Sequence, residues 1–160
     1  MIGVDLDSRF IQFGYDMFRD HNTLGARFVE GDILDPDDPG LGSLQGQVTI
    51  IHAESFFHLF TKTEQGYLIK RLIGFIKPDS KNAIVYGRQA GFPDDYTGNQ
   101  SEDRPYVHTP STLQTLWDEV GNTTGTRWRV EADLVETDEG SPWAPQELRI
   151  MKFIIHQISN

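Results

Sequence analysis

The chain has 160 residues, 38% of them hydrophobic and 24% charged, with ten Phe and three Trp; that is enough apolar material for one domain with a core, and it excludes a disordered or fibrous chain. Fourteen Lys and Arg stand against 24 Asp and Glu, a formal net charge of −10, which repels nucleic-acid backbones and anionic lipid and leaves small molecules or proteins as partners. Cysteine is absent, which removes disulfides, thiolate metal sites and cysteine nucleophiles, and no apolar run approaches the roughly 20 residues that span a bilayer. The opening residues do not read as a secretory leader, so the cytosol (a cytoplasmic protein) is the expected compartment.

In chain order, Met1 to Val4 reads as a short strand closed by Asp5. Asp7 or Ser8 then caps a helix whose Phe10, Ile11, Gly14, Met17 and Phe18 fall on one stripe, predicted to pack on a sheet. A second strand, Ala26 to Glu30, is halted by Gly31. The stretch ILDPDDPGLGSLQGQ holds too much Pro, Gly and Asp for a long helix, although residues 41–44 suit one turn; its acids Asp35, Asp37 and Asp38 read as a solvated loop rather than a cation site.

Val48 to Ala53 is apolar on both faces, the pattern of a buried parallel strand. Thr61 and Glu64 have capping-box spacing, and Tyr67, Leu68, Leu72, Ile73 and Ile76 repeat at helical period until Pro78. Asn82 to Gly87 is the next strand, followed by a Gly-, Pro- and Asp-rich loop from Arg88 to His108 of the kind that lines a site. Thr109, Pro110, the stripe Leu113, Leu116, Trp117 and Val120, and Gly121 as C-cap define another helix. Trp128, Val130, Ala132 and Leu134 alternate with Arg127, Arg129, Glu131 and Asp133 in a strand with one wet face. RIMKFIIHQI is apolar on both faces apart from Lys152 and His156, which predicts a strand inserted between neighbours.

The expected fold is one α/β domain over residues 1–160, doubly wound, with four parallel strands joined by crossovers and a closing antiparallel hairpin. The hairpin argues against a nicotinamide-type dinucleotide domain, whose sheet continues in parallel.

With that ending, three motifs at carboxyl ends of strands make the chain resemble the class I S-adenosylmethionine-dependent methyltransferases. IGVDL places Asp5, with Leu6 beside it, where the family binds the cofactor ribose; an acid there is equally a helix cap. EGDIL places Asp32 at the adenine amino group, with Ile33 beside the ring and Leu34 as an apolar wall, although Gly31-Asp32 is also an ordinary turn pair. IHAESFFHLF matches the segment beside the cofactor sulfonium and brings His52, Ala53, Ser55 and Phe57 there, while Phe56 and Phe60 read as anchors for the next helix. Together with VYGRQAG and LWDEVGNTTGTRW, these stretches are similar to a fungal, secondary-metabolism branch of small-molecule methyltransferases, along residues 2–158.

The resemblance implies S-adenosyl-L-methionine as cofactor and a small organic acceptor methylated at oxygen or another nucleophile. In-line displacement at a sulfonium needs alignment and no metal, with a base only for a poorly ionised hydroxyl. His58 or His52 is the expected base, His58 reading alternatively as a helix-entry residue bonded to backbone; Arg88 and Gln89 are expected to orient an anionic acceptor or simply to solvate their loop. The five histidines have no metal-ligand spacing.

The family's first strand and its glycine-rich loop have no counterpart in the 160 residues, as if the sheet were truncated at its N-terminal side. Without that central strand, two strands either pair directly or leave a gap of roughly 10 Å. The expectation is therefore weak cofactor binding by this polypeptide alone. A catalytically inactive interaction module and another nucleotide-dependent α/β enzyme are the alternatives to methyl transfer.

Overall fold

The computed structural model describes residues 1–101, 103–136 and 145–158. Strand β1 (Ile2–Asp5) leads into helix α1 (Ser8–Phe18), for which Asp7 is the N-cap, accepting from the Arg9 amide. Strand β2 (Arg27–Glu30) follows, then the short helix α2 (Pro39–Gly42), strand β3 (Ile50–His52), a 3-10 turn Phe57–Leu59 and helix α3 (Lys62–Phe75). Strand β4 (Ile84–Gly91), helix α4 (Pro110–Thr124), and strands β5 (Trp128–Val135) and β6 (Arg149–Gln157) complete the order. Part of the β5–β6 connection lies outside the described residues.

Hydrogen bonding divides the strands into two sheets, β1–β2 and β3–β4–β6–β5. Pairs β1–β2 and β3–β4 are parallel, and β6 runs antiparallel to both β4 and β5. The both-face apolar run of residues 149–158 is thus the inserted strand its pattern predicts. The expected single sheet with four parallel strands is corrected here: among the described residues no ladder joins β1 to β3. The two do not close up on each other.

One face of the four-stranded sheet carries Val85, Met151, Phe153, Ile155 and Trp128 into a core shared with Leu68, Ile69 and Leu72 of α3 and Leu113, Leu116 and Trp117 of α4. The opposite face leaves Ile50, Tyr86 and Ile154 exposed. Both long helices start on complete capping boxes: the Glu64 amide donates to Thr61 Oγ1 at 3.3 Å while Glu64 Oε2 accepts from the Thr61 amide at 2.8 Å, and Thr112 does the same for Thr109.

Two boundaries and one expected burial differ most from the sequence expectation. Strand β4 runs through Arg88 and Gln89 to Gly91 instead of stopping at Gly87, because β6 pairs along its whole length, from Ile84 opposite His156 to Gly91 opposite Arg149. The C-cap of α4 is Gly125, at φ 68°, and not Gly121, which is buried inside the helix. The stripe of α1 forms as predicted but buries nothing completely; Phe10, Phe13, Met17 and Phe18 stay exposed, and Tyr15 meets Phe28 edge-on at 5.5 Å. Among the described residues, no helix is long and apolar enough to cross a membrane.

Candidate functional site

Parallel pairing sets Asp5 opposite Glu30, and the Gly31 amide donates to the Asp5 carbonyl at 3.0 Å. The carboxyl ends of β1 and β2 therefore lie side by side, with Asp5 and Leu6 on one and Asp32, Ile33 and Leu34 on the other. Asp5 Oδ1 accepts from the Asp7 amide at 2.9 Å and Asp32 Oδ1 from the Leu34 amide at 2.8 Å. Each carboxylate uses one oxygen to shape its own turn, and its Oδ2 accepts no hydrogen bond among the described residues. Ile33 and Leu34 pack against the core, while Leu6 is exposed.

The Asp32 turn is held by a residue that the sequence reading placed in solvent. Asp38 Oδ2 accepts from the Asp32 amide and its Oδ1 from the Leu41 amide, both at 2.9 Å. These donors, Asp32 first and then Leu41, hold the Asp38 carboxyl below its ordinary range. The loop reading of Asp38 is thus corrected to a helix cap. The signal was present in the sequence: Asp38-Pro39 has the same cap-then-proline order as Thr109-Pro110.

A second group gathers at the ends of β3 and β4. The ladder continues past β3 through Ala53 N to Tyr86 O at 2.9 Å and Ser55 N to Arg88 O at 2.7 Å. Alternation along this extension turns His52 and Glu54 to the exposed face and Ala53 to the core. His52 stacks on Tyr86 with ring centroids 4.8 Å apart, its Nε2 is 3.5 Å from Glu54 Oε2, and Arg88 Nε donates to Glu54 Oε1. Arg88, first among the causes, pulls the Glu54 carboxyl below its ordinary range. Ser55 then takes a left-handed backbone at φ 49° and turns the chain into the 3-10 segment.

The other expected site residues sit deeper. Phe57 is 1% exposed and lies in the core near Phe153, so its ring packs the domain rather than lining an open crevice. Gln89 is 2% exposed on the core face of β4, and both of its amide atoms are buried without a hydrogen-bond partner. His58, on the 3-10 turn, is half-buried; burial depresses its pKa, and its Nδ1 has no partner, so the backbone bond expected of it is absent. No hydrogen bond or ion pair joins the Asp5–Asp32 group to the His52–Arg88 group among the described residues. A cleft of about 500 Å³ flanks Asp5 between α1 and the β1–β2 sheet, lined by residues such as Phe10, Tyr15, Phe18 and Phe28.

No family model matches the sequence. In fold, the chain is similar to a S-adenosylmethionine-dependent methyltransferase of Methanosarcina mazei, with a TM-score of 0.62 at 12% identity, over 99% of this chain and 82% of that one. In sequence, it is 30% identical to the O-methyltransferase phiE of a fungal species across 98% of its own length and 58% of the relative's. It is 29% identical to the O-methyltransferase atr3 of Stereocaulon alpinum across 98% of its length and 46% of the relative's. The fold is thus that of S-adenosylmethionine-dependent methyltransferases, and the sequence is similar to fungal O-methyltransferases. The chain spans about half the length of the curated relatives it matches.

Proposed function

We propose that the protein takes part in methyl transfer from S-adenosyl-L-methionine to an oxygen of a small organic acceptor. The observation that carries this reading is the pair of carboxylates at adjacent parallel strand ends, Asp5 and Asp32, each with an oxygen that accepts no hydrogen bond among the described residues, in a chain similar to fungal O-methyltransferases. When bound, the cofactor supplies an electrophilic methyl on a sulfonium. Asp5 accepts from the ribose hydroxyls and Asp32 from the adenine amino group, with the Ile33 backbone and the Leu34 side chain along the ring. His52, Ala53 and Ser55 border the acceptor side; His52, exposed at the end of β3, is the proton acceptor for a hydroxyl, and His58, half-buried, fits that role less well.

Isothermal titration of the chain with S-adenosylhomocysteine tests the placement. Asp5→Asn and Asp32→Ala each remove a charge-assisted bond and are expected to weaken binding by roughly 10- to 100-fold. The same affinity in both variants as in the parent overturns the assignment of ribose and adenine.

A further inference from the structure

We infer that Glu54 is a positioning residue that orients His52 as the proton acceptor for a hydroxyl-bearing acceptor, with Arg88 holding Glu54 in place; this rests on the methyl-transfer reading. Four side chains from two neighbouring strands form the array. His52 and Glu54 are two residues apart on one face, and beneath them β4 presents Tyr86 and Arg88, also two apart. The ring of Tyr86 stacks under the imidazole, which fixes its plane. The Glu54 carboxylate faces Nε2 from 3.5 Å, which leaves Nδ1 as the nitrogen open to a proton. Glu54 is itself fixed twice, by the Arg88 guanidinium on its other oxygen and by the backbone on either side.

That backbone is strained where it matters. Ser55 is one of two non-glycine residues with positive φ among those described, a conformation that L-residues rarely adopt. Strain of this kind persists where surrounding structure over-determines it, often at functional sites. Here it lies directly after Glu54 and ends the ladder that turns the carboxylate outward.

The array selects a substrate class. A carboxylic acid acceptor is already ionised at neutral pH, needs no base, and is repelled by Glu54; Arg88, expected from the sequence to receive an anion, is instead paired with that carboxylate. A phenol or alcohol gains from the pair. Its O–H bond breaks toward His52 Nδ1 while an oxygen lone pair forms the new bond to the methyl carbon. The S–CH3 electron pair remains on sulfur, leaving the neutral thioether, and the proton passes from the imidazolium to solvent. Because the Glu54 carboxylate faces Nε2 and holds the ring with Nδ1 outward, removing it weakens the attack of Nδ1 without disturbing the fold.

Acylation by diethyl pyrocarbonate, followed by peptide mass mapping, reads this on the chain as it stands, because the reagent attacks the unprotonated imidazole. In mildly alkaline buffer, Glu54→Gln, which keeps shape and hydrogen-bonding capacity, is expected to slow His52 modification about threefold, the scale of an exposed ion pair. Arg88→Gln should produce a smaller slowing in the same direction. His156, 3.8 Å from Glu131, serves as the internal control and keeps its rate. An unchanged His52 rate in Glu54→Gln, with circular dichroism also unchanged, overturns the proposal. S-adenosylhomocysteine is expected to shield His52 in the parent chain. If Glu54→Gln slows the reaction but the thioether gives no shielding, the pair stands and the donor has been placed wrongly.

Discussion

His108 is completely buried at the mouth of α4, where its Nδ1 lies 3.0 Å from Thr112 Oγ1 and its Nε2 has no partner. Burial first, and the nearby Lys62 charge second, push its pKa down to about 4 from 6.5. An unfolded chain therefore takes up a proton between these values that the folded chain refuses, so stability is full above pH 6.5 and falls as the pH drops toward 4. The loss is on the order of 3 kcal/mol. Urea midpoints between pH 7.5 and 4.5 should show the decline, and His108→Gln should flatten most of it, leaving the smaller contribution of His58. The carboxylates do not confuse this window: Glu64 and Asp94 are held below 4.5 and 3.8, by Thr61 and by Ser111 first, and act only at lower pH. An equal slope in the variant assigns the acid sensitivity elsewhere. At the same scale, Asp38→Ala removes the acceptor for the Asp32 and Leu41 amides and should lower the urea midpoint, as loss of a cap does. The loss should fall on the Asp32 turn, seen as faster amide exchange at residues 32–34.

At the scale of elements, caps that state their partner locally were legible. Thr61 announces its box and Thr109 its cap and proline within four residues, and both helices begin where expected. The far end of α4 was not legible, because two glycines compete and the sequence does not say which one the next strand leaves room for. Packing decides it. A Cβ at Gly121 would lie 2.6 Å from the Thr126 carbonyl oxygen, whereas a Cβ at Gly125 meets nothing but holds a left-handed backbone. Gly121→Ala must therefore shift backbone and is expected to cost roughly 1–3 kcal/mol. Gly125→Ala carries only the conformational penalty of about 1 kcal/mol, and Gly125→Asn less than that. Thermal or urea melts rank the three; a Gly125→Ala more damaging than Gly121→Ala would restore the earlier stop. Strand β4 was misjudged for a related reason. The run Gly-Arg-Gln-Ala-Gly carries no β-branched residue, and only its pairing with β6, some 60 residues later, makes it a strand.

For the whole molecule, periodicity told which face of each element is apolar but not whether anything covers it. The stripe of α1 was read correctly, yet Phe10 and Phe18 are 67% and 69% exposed, while the less strongly periodic stripe of α4 is buried. What differs is long-range: α4 lies on a sheet of four strands, α1 on one of two four-residue strands. Local stability follows buried apolar contact, so the chain should open in two tiers. Amides of β4, β5 and β6 are expected to exchange only on global unfolding, and those of β1, β2 and α1 at least about a hundredfold faster, a gap of roughly 2.7 kcal/mol. Hydrogen exchange read by mass spectrometry checks this directly. The same measurement joins stability to function, because a ligand that binds the closed form of a tier slows exchange throughout it. S-adenosylhomocysteine held by Asp5 and Asp32 must slow β1, β2 and the Asp32 turn before it affects β5. Uniform protection across both sheets would show that the two tiers open as one, and protection confined to β4 and β5 would move the donor to the other side of the domain.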